Sequence, residues 1–501
     1  MAGVFLAKLE TKQSMRERRK FAPPFGILYL ANALEKGGFK VILIHEEGTE
    51  KEIEKLVRLV LTEKPIWVGF STMTGPTILP CLKASRMIKN KTEIPVVWGG
   101  IHPTIVPEQT LMNDSIDIVV IGEGEETAVE LTKVLKSSVW DTQQLSKVAG
   151  IGFKKDGQLF FTLPRSFIKN LNGYSPSWRH LDMTKYIYSG DYFQYSKSGG
   201  NKIMAFITSR GCPWRCGYCY NQAVNKRTFR AHSVEKIVSQ IRDFKERHEL
   251  TGVRFWDDNI FTNKSRALKI FQNIRLPWIS SIRANEIVAG GEDFVRELSQ
   301  TNCKELNMGV ESGSQRMLNL MKKDINLNQV RWAARMCGKY RIKLCLGFMV
   351  GLPGETWSDI CETLQFMEEL ERMNEYVIIR GLAIFTPLPK TPLFDLAIKM
   401  GFKPPNSLKE WSKYEMGYVR QLPSYADNRI ESMGYYLGLA NRNDLHKPAF
   451  PYLVNGLQKI ARFRIKHRFF YFPLDHTIPA YCRRLFERLG LAALTETLYR
   501  R

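Results

Sequence analysis

Through the front of the chain, short apolar runs alternate with stretches whose apolar positions recur at helical spacing. The runs read VFLAKL from Val4, VILIH from Val41, IWVGFST from Ile66, PVVWGG from Pro95 and DIVVIGEGE from Asp117. Between them lie amphipathic patterns such as ILYLANALEKGG, which closes on Gly37 and Gly38 as a helix end should, and EKEIEKLVRLVLTEK. This alternation predicts an α/β fold. Residues 1–140 are expected to form a doubly wound, Rossmann-like parallel sheet that takes its ligands beyond the carboxyl ends of the strands.

Residues 141–200 are richer in Gly, Ser, Asn and Tyr and read as a connector, with a hairpin, GIGFKKDGQLFFT, turning at Asp156 and Gly157. Over residues 201–400 the alternation resumes with six strand candidates: MAFITS, VRFWDD, ISSIRAN, KELNMGVES, KLCLGFMVGLP and VIIRGLAIFTPLP. Helical patterns such as SVEKIVSQIRDFKERH separate them, so a complete or partial (β/α) barrel is expected, with six strands in the partial form. Residues 401–501 loosen into Pro-bearing loops and basic, aromatic-rich helices. Trp411, Tyr414, Tyr418, Tyr435 and Tyr436 there suit either ordinary core packing or the lining of an apolar cavity.

The 501 residues suffice for about three domains with ample core, and 44% hydrophobic against 25% charged residues excludes a mainly disordered chain. A net charge of +23 favours anionic partners without choosing among them. No apolar run is long enough to span a bilayer and the opening GVFLA lacks the flanks of a secretory signal, so a cytoplasmic location is expected. Three of the 9 cysteines crowd between Cys212 and Cys219. That pattern suits metal ligation in a reducing compartment rather than a disulfide framework.

In ITSRGCPWRCGYCYN, Cys212, Cys216 and Cys219 follow a predicted strand with the spacing CxxxCxxC. Three thiolates on one short loop can reach three irons of a [4Fe-4S] cube and leave the fourth iron open. Structural zinc wants four ligands in two separated pairs, and no second cysteine pair stands nearby. Gly211, Pro213, Arg215 and Gly217 describe an exposed loop, against three cysteines serving only as buried hydrophobes. The remaining cysteines, Cys81, Cys303, Cys337, Cys345, Cys361 and Cys482, are scattered and expected in the core.

From about Asn201 to Pro405 the chain resembles the radical S-adenosylmethionine (SAM) superfamily, whose motif places an aromatic residue, here Tyr218, before the last cysteine. The resemblance implies that SAM chelates the open iron. One electron then cleaves it to methionine and a 5′-deoxyadenosyl radical, with flavodoxin or ferredoxin as electron donor. It also implies SAM contacts at Asp257, Asp258 and Asn259 after VRFW, although each could instead cap the following helix. Further contacts are implied at Arg283 and Asn285 after the third strand, and at Glu311 and Ser312 in GVESGS. In GFMVGLPGE, Gly347, Gly351, Pro353 and Gly354 would let adenine approach the backbone.

The front sheet followed by this barrel resembles the cobalamin (B12)-binding subfamily of these enzymes, through PPFGILYLANALEKGGFKV, GFSTMT, WGGIHPTIVPE and VVIGEGEET in order. On that likeness Ser71, Thr72 and Thr74 offer hydroxyls, and Gly99, Gly100, Gly122 and Gly124 leave room for the nucleotide tail. The DxHxxG motif of methionine-synthase-like domains is missing. His45 and His102 are then read as hydrogen-bonding residues, with His102 at the rim of the cobalamin site. Glu125 and Glu126 read as the acidic start of a helix.

The tail from Lys447 to Arg501 is strongly basic, with aromatics interleaved in ARFRIKHRFF and YCRRLFERLG. It suits a solvated face, an anionic membrane surface or RNA phosphates, with RNA least favoured. Methylthiotransferases acting on transfer RNA resemble the chain less, since their front domain supplies three further cysteines and this one offers only Cys81. The expected activity is cobalamin-dependent methylation of an unactivated carbon on a small or lipid-like substrate. The alternatives are radical oxidative cyclisation of a porphyrin-like substrate, as in the anaerobic cyclase of magnesium protoporphyrin monomethyl ester, and a non-catalytic corrinoid- or RNA-binding iron–sulfur protein.

Overall fold

The computed structural model describes residues 3–11, 23–137, 140–189, 202–414, 424–430, 432–433, 451–468 and 470. All five front strands form where the apolar runs place them: β1 (Val4–Glu10), β2 (Val41–Glu47), β3 (Trp67–Ser71), β4 (Val96–Gly99) and β5 (Ile118–Val120). They lie parallel in the order β2-β1-β3-β4-β5. Alternate residues of β1 serve the two faces. Phe5, Ala7 and Leu9 pack with Ile53, Val57 and Ile78, whereas Val4 and Leu6 pack with Ile27, Ala31 and Leu131. The helix Glu50–Glu63 starts where the Thr49 hydroxyl accepts the Glu52 N–H, and it buries Ile53, Leu56, Val57 and Val60 on one stripe.

The front sheet runs past residue 140. The hairpin β6 (Ile151–Lys155) and β7 (Gln158–Phe161) adds to β5 antiparallel, so this part of the expected connector belongs to the front sheet. Its apolar residues Ile151 and Phe153 complete the core beside Ile118 and Val120. Beyond it, a chain of short 3-10 turns leads to β8 (Tyr188–Ser189).

The second sheet contains the six expected parallel strands: β9 (Lys202–Phe206), β12 (Gly252–Phe255), β13 (Trp278–Ser281), β14 (Cys303–Glu311), β15 (Lys343–Val350) and β16 (Val377–Ile384). β8 lies antiparallel on the free edge of β9. Between β9 and β12 a small ribbon pairs β10 (Ser209–Arg210) with β11 (Arg230–Ala231). The sheet order β16-β15-β14-β13-β12-β9-β8 leaves the seam open among the described residues, which makes this a partial barrel. Its outer helices begin at strong start signals, including capping boxes at Asn326 with Gln329 and Thr356 with Asp359.

The outer face of the barrel carries an aromatic stack, with the Phe271 and Trp278 rings 3.8 Å apart and nearly parallel, and Phe255 and Phe261 at their edges. The Trp278 Nε1–H donates to the Thr301 carbonyl at 2.8 Å. Trp411 is buried against the front domain and donates to Gln109 at 2.5 Å, so core packing is its role. Tyr414 packs beside it. Tyr418, Tyr435, Tyr436, Cys482 and most of the basic tail lie outside the described residues. No described helix is long and apolar enough to cross a membrane.

Trp278→Ala removes a fully buried ring and its hydrogen bond. It should lower the free energy of unfolding by about 3–5 kcal/mol, measured by urea denaturation.

Candidate active site at the strand ends

The cysteine loop is held from several directions. It leaves the β10–β11 ribbon at Gly211, whose φ of +83° and proximity to the Thr228 carbonyl exclude a side chain, and whose N–H donates to Asp258 Oδ2 at 2.8 Å. Gly217 donates to the Met321 carbonyl at 2.7 Å and accepts from Leu393 N at 3.0 Å. Arg215 forms a forked pair with Asp324, and the Gln222 amide donates to the Cys216 carbonyl at 2.6 Å.

The three sulfurs share one electrostatic environment. Cys216 is buried and receives Arg283 Nη1 at 3.1 Å, while Asn259 Nδ2 lies 3.9 Å from the Cys212 sulfur. Burial pushes the Cys219 thiol up to about 12, with Cys216, Asp258 and Cys212 adding to it, and it raises Cys212 as well. Sulfurs that would repel as thiolates ask for cations at the loop, and iron satisfies them. No three His, Cys, Asp or Glu groups among the described residues converge on a single ion. A cube asks for something else: three sulfurs spread around a volume, one to each of three irons. The donor set fits a cluster held by Cys212, Cys216 and Cys219.

The expected SAM contacts divide. Asp258 is exposed beside the loop. Asp257 is buried, and its Oδ1 accepts from Thr208 N at 3.0 Å, Thr208 Oγ1 at 2.8 Å and the Ser209 hydroxyl. It therefore braces the turn before the cysteines, and desolvation raises its carboxyl to about 6. Asn259 caps the following 3-10 turn and donates to Glu286 at 2.5 Å. Arg283 stacks over Trp214 at 4.4 Å, and Asn285 reaches the Asp324 carbonyl at 3.3 Å. Both stand at the cluster loop.

Glu311 lies at the site but not alone. Its Oε1 accepts from the Tyr218 hydroxyl at 2.8 Å and from Lys323 Nζ at 2.8 Å, which links Tyr218 of the cysteine motif to the end of β14. Ser312, expected beside it, is fully buried behind the strand and exchanges a hydrogen bond with Thr363 at 3.1 Å, so it serves the turn and has no open face. Gly351, Pro353 and Gly354 form a loop that Glu355 closes by accepting the Gly351 N–H at 2.6 Å. Burial pushes the Glu355 carboxyl up to about 8, against the lowering effect of those backbone donors.

The front sheet presents a groove at its carboxyl edge. A Cβ on Gly26 would meet only the Ser71 hydroxyl at 3.8 Å, Gly99 faces only Val120 at 3.7 Å, and Gly122 has nothing within 4 Å, whereas Gly100 packs on the Thr72 carbonyl, 2.7 Å from its Cβ position, and forms the wall of the groove. A nucleotide tail fits such a slot. Gly124 is closer-packed, its Cβ position lying 2.9 Å from Leu30. Thr72 is buried with its N–H on the Gly99 carbonyl, so it shapes the groove rather than lining it openly. Thr74 bonds His102 Nδ1 at 3.0 Å. His102 is fully buried, edge-on to Trp411, and desolvation lowers its imidazole to about 3, which keeps the ring neutral. His45 lies within β2 and bonds the Tyr186 hydroxyl at 2.8 Å.

An ion network joins the two sheets. Glu123, after β5, receives Arg210 at 2.8 Å and Arg230 at 2.7 Å, and Arg210 also reaches Glu125 at 2.6 Å. Glu125 thus does more than start a helix. Arg210 also stacks over Tyr29, whose hydroxyl bonds His232 at 3.1 Å. Sequence reasoning missed Arg210 and Arg230. The only available signal was opposite charge at two strand ends, an Arg just before Gly211–Cys212 and an acidic run after Gly122. Lys323 left no signal in MKKD.

An iron–sulfur barrel enzyme with an attached α/β ligand domain is the class that this fold and site define. The radical SAM superfamily matches residues 206–367, and the B12 binding domain matches residues 15–132. An uncharacterized methyltransferase of Pyrococcus horikoshii is 29% identical over 425 residues, covering 82% of this chain and 86% of its own length. The anaerobic magnesium-protoporphyrin IX monomethyl ester cyclase of Synechocystis is 27% identical over 329 residues, and the alignment covers 64% of this chain and 63% of the cyclase. Among solved structures, the cobalamin-dependent SAM radical enzyme OxsB with aqua-cobalamin bound superposes with a TM-score of 0.70 at 18% identity, covering 99% of this chain and 76% of OxsB. The radical SAM methyltransferase TsrM of Kitasatospora setae gives 0.62 at 17%, covering 81% and 76%. The chain thus carries a radical SAM domain and a B12 binding domain, with a [4Fe-4S] cluster, SAM and cobalamin as cofactors.

Two outcomes follow from this geometry. Glu123→Gln leaves two arginines buried with one carboxylate fewer, and should lower stability by about 3 kcal/mol in urea denaturation while the iron content after reconstitution stays that of the parent. The raised Glu355 carboxyl holds a proton in the folded chain that the unfolded chain has already released, so its contribution to stability falls as pH rises toward about 8. Glu355→Gln should therefore flatten the decline of Tm between about pH 5 and 8 and leave it unchanged above that, read by thermal denaturation.

Proposed function

We propose that this enzyme methylates an unactivated carbon of a small organic substrate, drawing the methyl group from SAM by way of cobalamin. The observation that carries this reading is the pairing of sites. The strand that leads into Cys212 is ion-paired through Arg210 to the same β5 loop whose Gly122 opens the front groove. A chain that only needed to split SAM would have no use for a corrin slot fixed to its cluster strand. When bound, the cluster supplies the electron that cleaves SAM to a 5′-deoxyadenosyl radical, and cobalamin supplies the methyl group.

The chain's own residues bind and orient. Arg283 presents positive charge to the Cys216 sulfur, which favours the charge-rich reduced state. Asp258, exposed beside the loop, offers an acceptor to an ammonium group. Glu311, with one oxygen held by Tyr218 and Lys323, keeps a second oxygen for a hydroxyl. A one-electron donor of the flavodoxin or ferredoxin type would act from outside.

The likeness to the magnesium-protoporphyrin cyclases supports a second reading, oxidative ring closure at the same site. SAM carrying a deuterated methyl group separates the two. Methylation predicts a product heavier by the labelled methyl, with 5′-deoxyadenosine formed alongside, whereas cyclisation predicts 5′-deoxyadenosine and an unlabelled product. Cys216→Ala should reduce 5′-deoxyadenosine formation by at least about a hundredfold under anaerobic, reducing conditions, a barrier increase of about 2.7 kcal/mol or more. Unchanged turnover would instead favour a corrinoid-binding protein with a structural cluster.

A further inference from the structure

The two large sheets end, among the described residues, on the strands β2, β7, β8 and β16. Sheets keep such edges from pairing by charge, bulges or shortness. β2 closes on two carboxylates, Glu46 and Glu47. β16 carries Arg380 and is kinked at Gly381, with φ +116°, where its register on β15 shifts. β8 is two residues long. β7 (Gln158–Phe161) is different: it has no charge, no proline and no bulge, and no ionisable side chain occurs from Gly157 to Pro164. Phe160 is 41% exposed, Phe161 40% and the nearby Leu163 82%, so an unguarded edge is also an apolar one.

The backbone of β7 says what would fit there. The Thr162 N–H donates to the Ile151 carbonyl at 2.9 Å. Direction alternates along a strand, so the N–H and C=O of Phe160 also turn to β6, whereas those of Leu159 and Phe161 turn away from it. Among the described residues no strand lies on that side to pair with them. An antiparallel copy of the same strand supplies the complement. With Phe160 on a two-fold axis perpendicular to the sheet, Leu159 stands opposite the partner's Phe161, and Phe161 opposite the partner's Leu159, which makes four backbone hydrogen bonds. The side chains suit this register. Phe160 stacks on Phe153 at 5.9 Å with the planes 20° apart, and the axis would extend that pair into a ladder of four rings. On the opposite face the Phe161 ring covers Gly152, 2.5 Å from its Cβ position, and the partner's Leu159 would pack beside that ring. Lys155 would come opposite the partner's Arg165, a residue whose charge Glu126 and Glu130 already hold within one chain.

We propose that β7 is an interface between two copies of this chain, which pair edge to edge through Leu159–Phe161 and join their front sheets into one. A second copy fits better than an unrelated segment because this edge is uncharged and meets its own hydrogen-bonding pattern and its own aromatic ladder across the axis. Four backbone bonds and the apolar side chains beside them make an interface at the small end of the range, so a dissociation constant of about 1–50 µM is expected. The pairing involves neither the cluster loop nor the front groove, and it stands whichever reaction the enzyme performs.

The test is the mass of the full chain, reconstituted with its cluster, by sedimentation velocity under anaerobic conditions from about 1 to 200 µM. The parent should pass from monomer to dimer within that range. Phe160→Lys sets two ammonium groups opposite each other at the axis and should weaken association at least about tenfold, as should Phe160→Glu. An equimolar mixture of these two variants should regain the parent's association, because Lys then faces Glu. Leu159→Pro removes an outward N–H without breaking a bond to β6, and it should weaken the dimer through the backbone alone. Far-UV circular dichroism and iron content like the parent's show that each variant is folded. A parent that remains monomeric at the top of the range overturns the proposal, as does association unchanged in both Phe160→Lys and Leu159→Pro, or a Lys and Glu mixture no tighter than its components. A parent monomer that carries a foreign peptide on this edge overturns it too, since the occupant is then not a second copy.

Discussion

Glu123 between Arg210 and Arg230 is the contact on which the working geometry depends. It comes from the loop after β5 of the front sheet, and its partners come from the two strands of the ribbon that delivers Cys212. The side chains are between 8% and 18% exposed, so their charges are largely removed from water. Such a network is a poor source of net stability, because desolvation of each ion offsets most of the attraction. What it does provide is a unique register. Sliding the domains by one residue would leave a buried charge unpaired, a penalty of several kcal/mol, whereas apolar contacts would tolerate the slip. Two cofactors held on either side of a domain boundary need that intolerance.

The same logic explains the density of hydrogen bonds around the cysteine loop. A three-thiol loop has no fold of its own, and before metal binds its sulfurs gain little from being near one another. Asp258, Met321 and Leu393 hold its backbone, while Asp257 braces the turn that precedes it. The braces come from the end of β12 and from two helical segments much farther along the chain, so the loop takes its shape only once the barrel has formed. Cluster assembly is thereby made to follow folding of the barrel, and the bound cluster in turn stabilises that fold by mass action.

Strands were legible because burial writes a short-range pattern. VRFWDD and KLCLGFMVGLP announce themselves by apolar runs ended with Gly, Pro or Asp, and β12 and β15 formed inside them. The cysteine motif was legible because thiolate chemistry needs its ligands close in sequence. What stayed hidden is long-range. Nothing local distinguishes the hairpin at Asp156 and Gly157 as an extension of the front sheet rather than part of a connector, since its pairing with β5 is decided by Ile151 and Phe153 meeting a core built elsewhere. Ser312 and Glu311 are neighbours in one motif, yet one turns behind the strand to Thr363 and the other faces the site. Arg210 and Glu123 stand 87 residues apart, and only the docked domains make them partners.

The charged pair of Glu305 and Arg380 follows from the openness of the barrel. A closed eight-stranded barrel fills its interior with branched side chains in layers and has no room for a substrate. With six parallel strands and a seam left open among the described residues, the inner face of this sheet is not closed by its own strands. Arg380 on β16 reaches across β15 to Glu305 on β14, while Gly347 and Gly381 leave room beside that pair, since a Cβ on either would meet nothing within 4 Å.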